Sequence, residues 1–270
     1  MKHFGVDLRH AAVGLLSATC WHLADAQAIN GSEGIARALR DVRQDARQER
    51  SKLLDELPKT PKATVDAGIG LAYDRDEEKT RELDTPFFVS YKTPGADWWK
   101  LKVSGSGYSR ITAPGEQALT GLSDIQLNVI RPMIPDHLSG YVGLVAPTHG
   151  DVGSKSWAQR AGLTLTGDFN PTWSYVAIAG VVRKNGSPAG VSAYRKLGYL
   201  EIDYNSPGGS TVLANLMRTY RAGAGGSTEL GMEYDFPIQK NKLSGALSVV
   251  RGISTGRHHT GVEFDLIFRF

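Results

Sequence analysis

At 270 residues, 41% of them hydrophobic, with a formal net charge of +3, the chain is long enough for one large domain and is neither disordered nor a polyelectrolyte. That charge points to no nucleic-acid partner, and the absence of any apolar run of about eighteen residues excludes a helical membrane protein. Thirty-one glycines among repeated turn signals favour many strands over helices.

Residues 1–28 read as a secretory signal peptide. Lys2 and Arg9 flank a charged start, "AAVGLLSATCWHLA" supplies an apolar core, and "AQA" at Ala26 to Ala28 is a small-x-small cleavage site. Cys20, the single cysteine, lies inside it, and Thr19 spoils a lipoprotein box. An exported chain without a thiol excludes a disulfide scaffold and cysteine-based zinc or nucleophile chemistry, and it fits a Gram-negative envelope protein.

Residues 29–62 form a second segment. Ile35, Leu39, Val42, Ala46, Leu53 and Leu57 recur at helical steps, with Ser32 as N-cap and Pro58 as stop, so a periplasmic helix over Ile35 to Leu57 is expected. The stripe suits either a solvated amphipathic helix packed on the rest or a short self-associating coiled coil, an oligomerisation or gating element. "PKTPK" at Pro58 to Lys62 reads as a linker.

From 63 to 270 the pattern changes to period two, cut by Gly, Pro, Asn, Asp and Ser clusters. Twelve strands are expected, at 64–74, 86–92, 97–109, 121–131, 138–148, 157–168, 172–184, 191–204, 211–221, 227–238, 242–252 and 258–270. Their connections alternate long and short in the first half, beginning with the charged "YDRDEEKTRELD", as the outside loops and periplasmic turns of an outer-membrane barrel do. In "TELGMEYDFPI", Leu230, Met232, Tyr234, Phe236 and Ile238 share one face, and Glu229, Glu233 and Asp235 the other. A soluble sandwich shares that alternation, but these strands are long enough to cross a bilayer at a tilt, and aromatics gather near their ends. The fold expected is all-β, a twelve-stranded antiparallel transmembrane barrel, with outer-membrane lipids as its surroundings.

With the apolar faces turned to lipid, the lumen would be lined by Asp66, Lys100, Lys102, Asp124, Arg160, Asp168, Arg195, Glu201, Asp203, Glu229, Glu233, Asp235, Glu263, Asp265 and Arg269. Acids outnumber bases there, which in a narrow pore favours cations. With the bases earlier in the chain and the acids later, a transverse field can arise; equally, the charges can pair into a network that closes the barrel. Of the mature histidines, His137, His149, His258 and His259, the last two are adjacent and face opposite sides of a strand, so they cannot share a metal. No nucleophile and base converge in the sequence, so neither an enzyme nor a cofactor or metal site is expected.

The ending "GVEFDLIFRF" resembles the C-terminal signal of outer-membrane barrels, carried by Phe264, Phe268 and Phe270, with the usual glycine displaced to Gly261. That resemblance implies the barrel-insertion machinery as a partner. "GLSDI" at Gly121 to Ile125, together with Pro147, Thr148, Gly150, Asp151 and Gly153 of "GLVAPTHGDVGS", resembles the outer-membrane protein family of the phenol meta-degradation pathway, and implies passive uptake of small hydrophobic or aromatic compounds. The order of signal, helix and twelve strands resembles the FapF type of functional-amyloid exporter, implying polypeptide export, trimerisation and gating by the helical part. A channel, whatever its cargo, and a closed structural barrel are the readings that remain.

Overall fold

The computed structural model describes residues 63–270 except 96, 149, 150, 153, 155, 188, 241 and 255–257. The expected signal peptide, helix and linker lie outside the described residues. Period-two patterning becomes thirteen strands: β1 (Thr64–Asp76), β2 (Arg81–Lys92), β3 (Lys100–Thr112), β4 (Leu119–Gly121), β5 (Ile125–Ile134), β6 (Leu138–Ala146), β7 (Ala158–Asn170), β8 (Trp173–Lys184), β9 (Tyr194–Asn205), β10 (Thr211–Arg221), β11 (Gly225–Gln239), β12 (Leu243–Gly252) and β13 (His259–Arg269). β4 is a three-residue addition beside β3. The other twelve pair antiparallel with their neighbours, and β1 pairs with both β2 and β13, so the sheet closes into a barrel without a free edge.

Closure runs to the last residue. Val65 N–H donates to the Phe270 carbonyl at 3.2 Å, and Phe270 N–H returns to the Val65 carbonyl at 2.9 Å. The terminal strand that sequence alone leaves unprotected is thus the seam.

The expected strands reappear with shifted ends, and the largest shift has a specific cause. "YDRDEEKTRELD" is not a long loop: β1 and β2 run through it and leave only 77–80 as a turn. The Asp76 carboxylate accepts from Thr80 N–H at 2.8 Å, and Lys79 takes the left-handed conformation (φ 64°). The charges therefore sit on a hairpin. Long connections do lie on the same side at 113–124, 147–157 and 185–193, and turns as short as 171–172 lie opposite.

The outer surface is greasy. Ile69, Leu71, Leu163, Leu216, Leu230, Met232, Val249 and Phe264 are all exposed. Aromatics ring the mouth that holds both barrel termini: Trp173 and Tyr204 meet edge to face at 5.2 Å between centroids, Tyr91 and Trp99 at 6.4 Å, and Tyr234 stacks on Phe236 at 5.6 Å. Tyr73, Tyr108, Trp157 and Tyr194 are exposed towards the other mouth. A water-facing sheet would hide such an apolar belt, whereas a bilayer-facing one displays it between aromatic girdles.

Candidate functional site: the inner wall of the barrel

Because alternate side chains point to opposite faces of a strand, exposing the apolar set turns the polar set inward. Lys100, Lys102, Arg160, Glu201, Asp203, Glu229, Glu233, Glu263 and Asp265 are all buried. Arg195 and Asp235 are half-buried beside them. Asp66 faces its register partner Arg269 across the β1–β13 seam, with the guanidinium Nε 3.5 Å from the carboxylate.

Two expected wall residues do other work. Asp124 is not in a strand, because 122–124 separates β4 from β5. Its Oδ1 accepts from Ser154 N–H at 2.7 Å and Thr148 N–H at 3.3 Å, while the Thr148 hydroxyl donates to the Leu122 carbonyl at 3.0 Å. "GLSDI" and "PTHGDVGS" are thus tied together, and the carboxylate braces the β6–β7 connection. Asp168 has the inward parity but stands exposed at the end of β7, where the register with β8 slips.

Several inner residues escaped the sequence reading. Glu82 and Asp84 are buried on β2, at 8% and 0% exposure, where a loop was expected. Their signal was present: Glu82, Asp84, Pro86, Phe88 and Ser90 form one unbroken alternation. They also correct the expected division by chain order, since these acids lie on the strand next to Lys100 and Lys102. Asn128, Asn215 and Gln126 are buried amides that a charge-based search passes over.

The wall is knitted by short polar chains. Near the terminal mouth, the Thr211 hydroxyl donates to Asn205 Oδ1 at 3.0 Å, Asn205 Nδ2 to Ser174 Oγ at 3.1 Å, and the Ser174 hydroxyl to Asp203 at 3.1 Å. Tyr199 donates its hydroxyl to Glu201, and Arg160 donates to Gln126 while its guanidinium lies 5.4 Å from the Tyr141 ring centroid. Towards the opposite mouth, His259 Nε2 is 2.9 Å from Glu229. Gly143 makes room for this packing: a Cβ there would fall 2.1 Å from Asn128 Oδ1.

One sector of the wall is apolar. Val176, Ile178, Leu197, Tyr199 and Met217 form a buried cluster on β8, β9 and β10, with Tyr141 packed against it. It adjoins the acids: Val176 pairs with Glu201, and Met217 with Glu229. Chemically the inner wall offers carboxylates beside a greasy strip, and among the described residues no group of histidines, cysteines or acids is arranged to hold a metal.

No family model matches the sequence, and no curated protein matches it. Solved structures do. The COG4313 outer membrane channel from Pseudomonas putida F1 superposes with a TM-score of 0.62 at 9% identity, covering 80% of this chain and 98% of that one. The β domain of the Bordetella autotransporter BrkA gives 0.51 at 13%, over 77% and 99%. The NanC porin gives 0.52 at 9%, over 74% and 98%. At such identities the likeness establishes the shared barrel fold alone.

Proposed function

We propose that this chain is an outer-membrane channel of the Gram-negative envelope, with cation preference, regulated by its N-terminal segment. The observation that carries the reading is the reversed polarity of the closed barrel: ionisable groups buried inside, apolar side chains exposed outside between aromatic girdles. Likeness to a fold used by a channel and a porin supports it. A low-dielectric passage with excess carboxylates concentrates cations and repels anions.

The test is planar-bilayer recording in a salt gradient. Replacing Glu229, Glu233, Glu263 and Asp265 with their amides moves the reversal potential towards zero; unchanged potentials would overturn the assignment of these residues to the conducting path. A chain that conducts in no form is a structural barrel.

Passive uptake of small hydrophobic or aromatic compounds is the cargo reading with a specific observation behind it. The apolar strip of Tyr141, Val176, Ile178, Leu197 and Met217 gives such compounds a surface to follow. Liposome swelling with aromatic and with sugar solutes separates this from a non-selective pore. Polypeptide export and trimerisation rest on the order of segments in the chain; cross-linking of the intact protein in membranes tests the trimer.

A further inference from the structure

The outward face of the strands carries charges of one sign. Among the described residues no acid takes an outward strand position, whereas Arg75, Arg81, Arg110 and Arg251 all do and are all exposed. Arg183, Lys196 and Arg218 continue the pattern on β8 to β10. These cations lie towards the mouth of the long connections. Near the terminal mouth, Arg131 is the one cation facing out from a strand among the described residues.

Register gathers the first four. Arg251 pairs with Thr260, Thr260 with Arg75, and Arg75 with Arg81, so one cross-strand row on β12, β13, β1 and β2 presents three guanidinium groups and a hydroxyl. Arg110 pairs with Leu83, diagonal to Arg81. Neighbouring strands are about 4.8 Å apart, and like charges directly opposite, as Arg75 and Arg81 are, destabilise a sheet. An anion between them reverses that sign. None of the four arginines makes an ion pair or side-chain hydrogen bond among the described residues. Two acids of the adjoining turn are engaged elsewhere: Asp76 accepts from Thr80 N–H at 2.8 Å, and Glu77 lies 3.9 Å from His258 Nε2.

Height matters as much as sign. The next row towards the terminal mouth is apolar: Val249 pairs with Val262, Val262 with Tyr73, and Tyr73 with Leu83. Tyr73 belongs to the aromatic girdle, so the arginine row stands two residues, about 7 Å, beyond it. There acyl chains give way to headgroups. Forked guanidinium groups at that level suit phosphate, which they hold by charge-assisted bonds.

We infer that Arg251, Thr260, Arg75 and Arg81, with Arg110 beside them, bind the phosphate groups of a phosphorylated glycolipid of the lipid A type, in the outer leaflet of the outer membrane. Its acyl chains lie on Val249, Val262 and Leu83. That apolar row directly below the charges selects a lipid over free phosphate. The inference rests on the outer-membrane reading and not on conduction, because the site is on the outside of the wall.

Native mass spectrometry of the full chain, released from phosphatidylcholine vesicles with a minor fraction of lipid A, tests the site. Lipid A should stay on the intact barrel. Its retention should fall at least about tenfold when Arg75→Gln, Arg81→Gln, Arg110→Gln and Arg251→Gln are combined, and should not change in Arg131→Gln. Arg81→Lys keeps the charge but not the fork and should fall between. Heat-modifiable gel migration checks that each variant forms its barrel. In phosphatidylcholine alone the combined variant should unfold in urea no more easily than the unaltered chain; easier unfolding there would mean that the arginines serve the sheet and not a lipid.

Equal retention by the combined variant overturns the inference. So does equal retention of fully dephosphorylated lipid A by the unaltered chain, a comparison that needs no variant. Displacement of the lipid by inorganic phosphate would show a free-phosphate site and overturn the lipid as its source. A chain recovered from cells outside the outer-membrane fraction would sink the outer-membrane reading, whereas a chain found there that holds no lipid A sinks the site alone.

Discussion

Strand β11 carries two surfaces with opposite demands. On one side Leu230, Met232 and Tyr234 are exposed, and on the other Glu229 and Glu233 are buried at 2% and 4%. In water this strand would be inside out. The difference shows that the solvent of the outer face is lipid, and that the polar face must settle its charges by contacts within the barrel.

The largest expected effect breaks the outer face. Leu216, exposed at the middle of β10, becomes a charge in hydrocarbon as Leu216→Arg; this should cost about 2–4 kcal/mol of folding free energy, read by urea titration in lipid vesicles. The equivalent change at Thr219, buried towards the opposite mouth, places the arginine among polar groups and should cost less. Equal losses would mean the two faces do not differ as described.

Next comes the brace behind the inner wall. Asp124→Ala leaves the N–H groups of Thr148 and Ser154 without their carboxylate acceptor, a local loss of about 1–3 kcal/mol. Limited proteolysis should cut the 147–157 connection several times faster while the barrel band stays intact. Asp124→Asn keeps an acceptor oxygen and should sit between the two.

Smallest is the seam. Deleting Phe270 removes the two backbone bonds to Val65 and one aromatic ring from the terminal mouth. Assembled protein in the membrane should fall severalfold, whereas the conductance of barrels that do assemble should not change. A drop in conductance with normal assembly would place Phe270 in the conducting path.

How far each feature could be read from sequence follows from its range. Whether a residue such as Leu230 or Glu229 faces out or in is set by its place in an extended chain, and runs of such residues mark their strands without help from the fold. The reading failed where local composition misled. Dense charge around Asp76 to Asp84 resembles a loop, but Asp76 closes a four-residue turn and the alternation continues on both sides of it.

Partnership across the chain was not legible. Nothing near Asp124 announces that it binds residues 24 and 30 positions onward, because that depends on the path of the connection between two finished strands. Asn128 and Gln126 gave no signal either: an uncharged amide becomes conspicuous when burial removes water from it.

The sequence by itself determined most of the strands and their two-faced character, since both follow from the local geometry of a β-chain. The tertiary structure decided which charges stand together, Asp66 with Arg269 and Glu229 with His259. Those neighbours are separated by tens to hundreds of residues, and they meet because closure of a tilted, staggered sheet sets one register around the whole ring.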